Sequence, residues 1–315
     1  MSSAPGGGWV PKRTEIAVAG AAAATAASLE RPPRSDAVKG GVFKAALLFG
    51  VGLALAGMVW LIADAFIEGR SRLGLDLIFD RGSGDPEKAG LWSALLGSVY
   101  LMVGVIATVV PLGLGAAIYL EEYAQKERWW NRLIEINVQN LAAVPSIVYG
   151  ILGLAFIVRG PADLGFILIA GSITLALLVL PTVILAAREA LRAVPPSIRE
   201  GSLALGATQW QAIRRQVLPA AVPGIVTGII LAISRAIGET APLLLVGATV
   251  FVTFDPTFFS DDGYTALPVQ IFQWVTRPQD EYRVLAAAAI IVLLGLLLAM
   301  NSFAIWLRNR YEQRW

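Results

Sequence analysis

Six long apolar runs set what this chain can become: residues 45–67, 91–120, 141–158, 166–187, 217–246 and 284–305. Each is near or above the ~20 residues that carry a helix across the ~30 Å hydrocarbon core of a bilayer. Hydrocarbon offers no water to a backbone N–H or C=O, so a crossing segment must satisfy those groups internally, as a helix does within its own length. The predicted fold class is all-α, a polytopic membrane protein with six transmembrane helices. Composition agrees: 56% of the residues are hydrophobic and 15% charged, too apolar for a soluble domain.

The polar residues lie between the runs. Residues 1–40 mix Gly, Pro and Ala with scattered Lys12, Arg13, Arg31, Arg34 and Lys39, and read as a disordered cytoplasmic tail. Residues 41–90 hold the first transmembrane helix and a periplasmic connection, residues 91–310 the other five helices, and residues 311–315 a cytoplasmic C-terminal end. The second run ends in Glu121, Glu122, Lys126, Glu127, Arg128 and the pair Trp129 and Trp130. Amphipathic rings gather at the headgroup level, which places that stretch along the interface. Residues 251–282 combine Asp255, Asp261, Asp262, Asp280 and Glu281 with many aromatics, and 266–274 read as a short amphipathic helix on the membrane surface.

Six crossings leave both termini on one side. Lys and Arg favour the cytoplasmic side. Assigning the tail, the Glu121 loop, residues 195–219 and the C-terminus with Arg308, Arg310 and Arg314 to the cytoplasm collects most of them there. The exception is the connection 69–90, which carries Arg70, Arg72, Arg81 and Lys88 outward.

Absent residue types exclude several chemistries. The chain has no Cys and no His. Disulfides, thiolate or imidazole metal sites and Cys–His or Ser–His nucleophiles are therefore ruled out, and no metal ligands or catalytic residues are expected. A net charge of +2 gives no reason to expect nucleic acid. No GxxxxGK[ST] loop cradles a nucleotide, so ATP, if it drives this chain, is bound elsewhere.

Two polar stretches stand out. The first, 195–219, runs from Pro195 and Pro196 through Glu200 and Gly206 to Leu218 and Pro219. Ser197 with Glu200, and Thr208 with Gln211, each have capping-box spacing, and Gly206 between them suits a left-handed turn. The expected product is a helix–bend–helix knuckle set off by prolines from the flanking spans, its Glu200 and Gly206 readable as local folding signals.

The second lies inside the fifth run, where Arg235 and Glu239 are four residues apart and share a helical face. A charge near the bilayer centre costs about 2.5 to 3.5 kcal/mol even on a lenient scale, so two need a reason. Mutual pairing that fixes helix packing is one. The other is a path in which Arg235 offers its planar fork to an anion while Glu239 holds it when empty. Gly238 and Pro242 can loosen the helix at that point. Ser146 and Tyr149, in the third run, are candidate neutral donors to the same path, or packing residues.

Glu200, Gly206 and the pair Leu218 and Pro219 stand at the spacing of the cytoplasmic coupling loop in ATP-binding-cassette importer permeases, which the chain resembles. Gly201 and Ser202 replace alanines usual there, and Gln216 replaces an aliphatic residue. Residues 235–242 (RAIGETAP), 145–150 (PSIVYG) and 266–268 (ALP) narrow the resemblance to permeases of phosphate-specific transport, nearer the PstA-type subunit than the PstC-type. The resemblance covers about residues 91–310. It implies a type I (MetI-like) permease core over 91–310 with a coupling loop at 195–219, in a bacterial inner membrane. It also implies a PstC-type partner permease, two PstB-type ATPase subunits carrying ATP and Mg, and a periplasmic PstS-type phosphate-binding protein. The chain itself would hold no cofactor and perform no hydrolysis. An importer permease for sulfate, molybdate or an organic anion is the nearest competitor. A self-sufficient secondary transporter would be expected to show an internal inverted repeat, and a membrane hydrolase a second carboxylate beside Glu239; neither is evident.

Overall fold

The computed structural model describes residues 34–125, 127–248, 252–259 and 263–311. Residues 1–33, with most of the expected tail, lie outside them, as do Lys126, Asp261, Asp262 and residues 312–315 with Arg314. The chain divides into two units, residues 1–61 and 62–315. The first is described as one helix, α1 (Arg34–Gly69), which continues into the second. It starts within the stretch assigned to the tail, because an apolar run that has nucleated a helix extends it at one hydrogen bond per residue until something such as proline stops it. Phe49 and Trp60 on this helix are exposed, a surface suited to hydrocarbon rather than water.

The second unit contains α2 (Leu75–Phe79), α3 (Trp92–Ile118), α4 (Trp129–Ala142), α5 (Ser146–Leu152), α6 (Leu168–Arg192) and α7 (Pro196–Ala204). It continues with α8 (Gln209–Ala212), α9 (Leu218–Gly238), α10 (Ala241–Leu245), α11 (Leu267–Val275) and α12 (Asp280–Tyr311). Wider π turns extend α3, α5 and α8 over Tyr119–Tyr123, Gly153–Val158 and Ile213–Val217. Among the described residues there is no strand, only an isolated bridge between Ala248 and Tyr264. Among the described residues five helices are long and apolar enough to cross a membrane, and a sixth crossing arises if α4 and α5 form one broken span.

Four expectations about the runs need correcting. The third, placed from 141 to 158, is broken near its start: α4 and α5 with its π turn meet at 107°, because Pro145 cannot continue a helix from the residues before it. The fifth does not reach 246, since the backbone turns extended at Glu239 before α10 begins. Pro219 does not set the knuckle apart, for α8, the π turn and α9 run on as one span, Gln209–Gly238. A proline removes one N–H and crowds the preceding turn, and the widened turn just before it accommodates that defect. The segment 266–274 is not a surface helix. Leu267, Pro268, Val269, Gln270, Gln273 and Trp274 of α11 are buried, and the Leu267 N–H donates to Ser98 Oγ at 2.9 Å.

Among the described residues, three apolar clusters stack through the second unit. Leu77, Leu91, Leu267, Trp274 and Leu285 pack near α2 and α11. Leu101, Val105, Leu175, Val179, Ala236 and Leu243 form the middle, and Ala117, Leu191, Val217, Ala221 and Ile225 the end next to the knuckle. Small residues let the central helices approach. A Cβ on Gly224 or Gly228 of α9 would come within 2.8 or 2.4 Å of Ala190 or Ala186 Cβ on α6. Without a hydrophobic drive between helices in lipid, this close packing is what binds them.

Candidate functional site

The last turn of α9 carries Arg235, and its Nε lies 3.3 Å from Glu239 Oε1. Glu239 caps the helix with extended backbone instead of continuing it, yet the four-residue spacing still brings the side chains together. The pair is uneven: the Arg235 side chain is 48% exposed and that of Glu239 17%. Only Nε is engaged. Among the described residues the Arg235 side chain makes no other hydrogen bond, so its two Nη groups present open donors beside the carboxylate that engages Nε.

The stretches singled out in sequence meet around this pair. Gly150 of α5 backs onto Pro242 of α10, where a Cβ on the glycine would lie 2.7 Å from the proline Cα. Tyr149, Ala236, Leu243 and Ala266 share one buried cluster. The Tyr149 hydroxyl donates to the Leu141 carbonyl at 2.8 Å, bridging the break between α4 and α5, so its proton is engaged within the protein. Ser146 is half-buried at the start of α5. The helix that bears Arg235 is pinned against α12 at two heights, by Ser234 Oγ donating to Asn301 Oδ1 at 2.6 Å and by Arg308 Nη1 donating to Thr227 Oγ1 at 3.2 Å.

At the knuckle, Gly206 takes φ +85°, with open space where a Cβ would stand. The second capping box forms: the Gln211 N–H donates to Thr208 Oγ1 at 3.3 Å and the Thr208 N–H to Gln211 Oε1 at 2.9 Å. The first does not. Pro195 occupies the N-cap position and Pro196, its φ already helical, starts α7 early, which puts Ser197 inside the helix. Glu200 and Pro219 are exposed and Leu218 is half-buried. Sequence reasoning passed over the apolar surface here: Leu205 is 91% exposed, and Leu203 and Trp210 are exposed beside it.

Sequence reasoning also missed a charged lattice under the knuckle. Arg188, 4% exposed, lies between Glu121 and Glu135 at 3.5 and 2.9 Å, and Arg192 reaches Glu121 at 3.1 Å. Arg199 meets Glu122 at 2.7 Å. The available signal was Arg188 and Arg192 four apart at the end of an apolar run, facing the Glu121 and Glu122 that end another. Trp129 and Trp130 stack edge to face at the start of α4 and are exposed, with Arg128 4.9 Å above the Trp130 ring.

Residues 109–313 match the family described as binding-protein-dependent transport system inner membrane component. The phosphate transport system permease protein PstA of Yersinia pestis is 36% identical over 265 residues, 82% of this chain and 85% of the relative. PstA 1 of Mycobacterium tuberculosis H37Rv is 39% identical over 237 residues, 71% of this chain and 74% of the relative. In fold, a chain of a bacterial ABC transporter for alginate import superposes with TM-score 0.61 at 15% identity, covering 89% of this chain and 99% of its own. One of the MetNI methionine ABC transporter gives 0.56 at 18%, covering 71% and 95%.

Proposed function

The chain belongs to the binding-protein-dependent inner-membrane transport components, among the phosphate transport permeases of the PstA type, and on that premise we propose that it is the transmembrane subunit of an ATP-driven phosphate importer. The observation that carries the reading is the half-exposed Arg235, fixed through Nε and open at both Nη groups at the end of an apolar helix. Phosphate carries one to two negative charges near neutral pH, and a passage through a low-dielectric slab needs a fixed cation to offset its lost hydration. Arginine stays protonated at every relevant pH and its fork matches phosphate oxygens. Glu239 retakes the guanidinium once the anion leaves, which keeps the site from trapping its cargo.

The chain supplies no hydrolysis. ATP and Mg act on a PstB-type ATPase pair that docks at the knuckle, with Glu200, Gly206, Leu218 and Pro219 in the coupling loop. A PstC-type permease completes the pathway and a PstS-type protein delivers phosphate from the periplasm. Both termini and the knuckle face the cytoplasm. Closure of the ATPase displaces the knuckle, the spans rock, and Arg235 is exposed first outward, then inward. Ser146 and Tyr149 line the approach, Tyr149 chiefly by holding the α4–α5 break.

Vesicles reconstituted with this chain, its partner permease, the ATPase and the binding protein are expected to accumulate labelled phosphate on addition of ATP, with unlabelled phosphate competing. Competition by sulfate or molybdate in place of phosphate would overturn the assignment of cargo.

A further inference from the structure

Glu200 marks the coupling loop in sequence, yet its side chain is exposed and, among the described residues, makes no hydrogen bond or ion pair within the chain. Its neighbour Arg199 does the opposite. Nη2 and Nε of Arg199 grip the Glu122 carboxylate, Nη2 at 2.7 Å from Oε1 and Nε at 3.1 and 3.2 Å from the two oxygens. Nη1 donates to the Val194 carbonyl at 2.7 Å, and Nη2 also to the Leu191 carbonyl at 2.8 Å. One guanidinium thereby joins α7 of the knuckle, the C-terminal end of α6 and the π turn that ends α3. From the other half of the knuckle, Gln209 Nε2 donates to the Glu122 backbone carbonyl at 2.6 Å.

Covalent continuity ties the knuckle to α6 through the short link at Pro195 and to α9 through an unbroken helix. To α3 it has no such link: Glu122 and Arg199 are 77 residues apart in sequence. At the end of α3, Glu122 is gripped from both halves of the knuckle. Glu122 is 7% exposed and Arg199 24%, so water screens the contact little. Multidentate charge-assisted hydrogen bonds are stiff in direction as well as strong. The π turn at Tyr119–Tyr123 is a local departure from the ordinary helical hydrogen-bond register, of the kind often found at functional sites.

We propose that the Arg199–Glu122 clasp is the strut through which movement of the knuckle reaches α3, making these two residues the ones that couple ATP hydrolysis to transport. This rests on the importer reading above. The strut transmits displacement from α7 to the end of α3, so breaking it leaves the knuckle able to dock and the ATPase able to turn over, while the end of α3, now held through α6 and its Arg188 and Arg192 at Glu121, follows the knuckle less closely.

The test uses the complete transporter in vesicles, measuring phosphate uptake and ATP hydrolysis in the same preparation. Arg199→Gln is expected to keep hydrolysis within about twofold and to lower phosphate moved per ATP at least tenfold; Glu122→Gln, which leaves one acceptor, is expected to give a smaller fall of the same kind. Because the natural chain has no cysteine, Arg199→Cys with Glu122→Cys can be joined by a short reducible bis-methanethiosulfonate linker. Linking is expected to restore uptake per ATP, and reduction to remove it again. Unchanged uptake per ATP in both glutamine variants, or uptake and hydrolysis falling in parallel in assembled complexes, overturns the proposal. If Arg199→Gln does not assemble, Glu122→Gln and the linked pair decide. Absence of phosphate uptake by the unsubstituted complex would instead sink the importer reading itself, so the two failures are distinguishable.

Discussion

Gly150 of α5 and Pro242 of α10 meet so closely that a Cβ on the glycine would stand 2.7 Å from the proline Cα and 2.9 Å from Leu245 Cδ1. The contact joins the two halves of the region around Arg235. It lets the short helix after one break seat against the short helix after another. A side chain at 150 must push proline backbone, which has no freedom to yield.

Gly150→Val is accordingly expected to destabilise the protein by about 1 to 3 kcal/mol, the usual cost of overpacking a tight site. Thermal unfolding in mild detergent reads the loss. Gly238→Ala, near the same region but with open space around the glycine, is the control and is expected to move the midpoint far less.

The second prediction concerns Arg235. Arg235→Gln removes the charge and keeps the length, and is expected to lower phosphate uptake more than tenfold while the complex assembles normally. Arg235→Lys keeps a point charge without the planar fork and is expected to retain part of the flux. Full uptake by Arg235→Gln would leave the pair with Glu239 as a packing device alone.

Much of the fold was legible because its causes are local. Apolar run length gave the crossings, Gly206 the left-handed bend, and Thr208 with Gln211 the second cap. What the sequence could not tell arises from partners far apart along the chain. Arg192 reaches Glu121 across 71 residues, and the spacing of neither end reveals the other. Two prolines misled for opposite reasons. Pro145 breaks a run that hydropathy reads as continuous, whereas Pro219 sits in a span that a π turn keeps whole. The site was legible by composition, as charges where hydrocarbon should be, but the extended backbone at Glu239 and the open Nη groups of Arg235 are matters of geometry.

A third prediction follows from the connection 69–90. Arg81 meets Asp255 at 2.8 Å, and hydrogen bonds from Arg81 first, with help from Trp92, hold the Asp255 carboxyl below its usual range. A carboxyl whose folded value is depressed adds stability that is complete above its unfolded value and disappears as pH falls through the folded one. The difference in unfolding midpoint between the natural chain and Asp255→Asn should therefore be constant from neutral pH to about pH 5 and shrink on further acidification. Both side chains are well exposed, so the difference should be small and should also fall with added salt. A gap that widens on acidification would rule out this account.

The last prediction bears on the apolar face of the knuckle. Leu205 is 91% exposed just before the bend at Gly206, with Leu203 and Trp210 also exposed. A leucine held in water on an ordered turn gains about 1.5 to 3 kcal/mol when a partner covers it. Its removal should then cost binding and leave folding untouched. Leu205→Asp is expected to leave the unfolding midpoint of the isolated chain unchanged, since the side chain has almost no contacts to lose. Retention of the ATPase subunit in mild detergent should fall at least tenfold in affinity, because burying an unpaired carboxylate adds its own penalty to the lost apolar area. Equal retention of the ATPase by Leu205→Asp would mean that the docking surface lies elsewhere, and would separate the knuckle's role in folding from any role in force transfer.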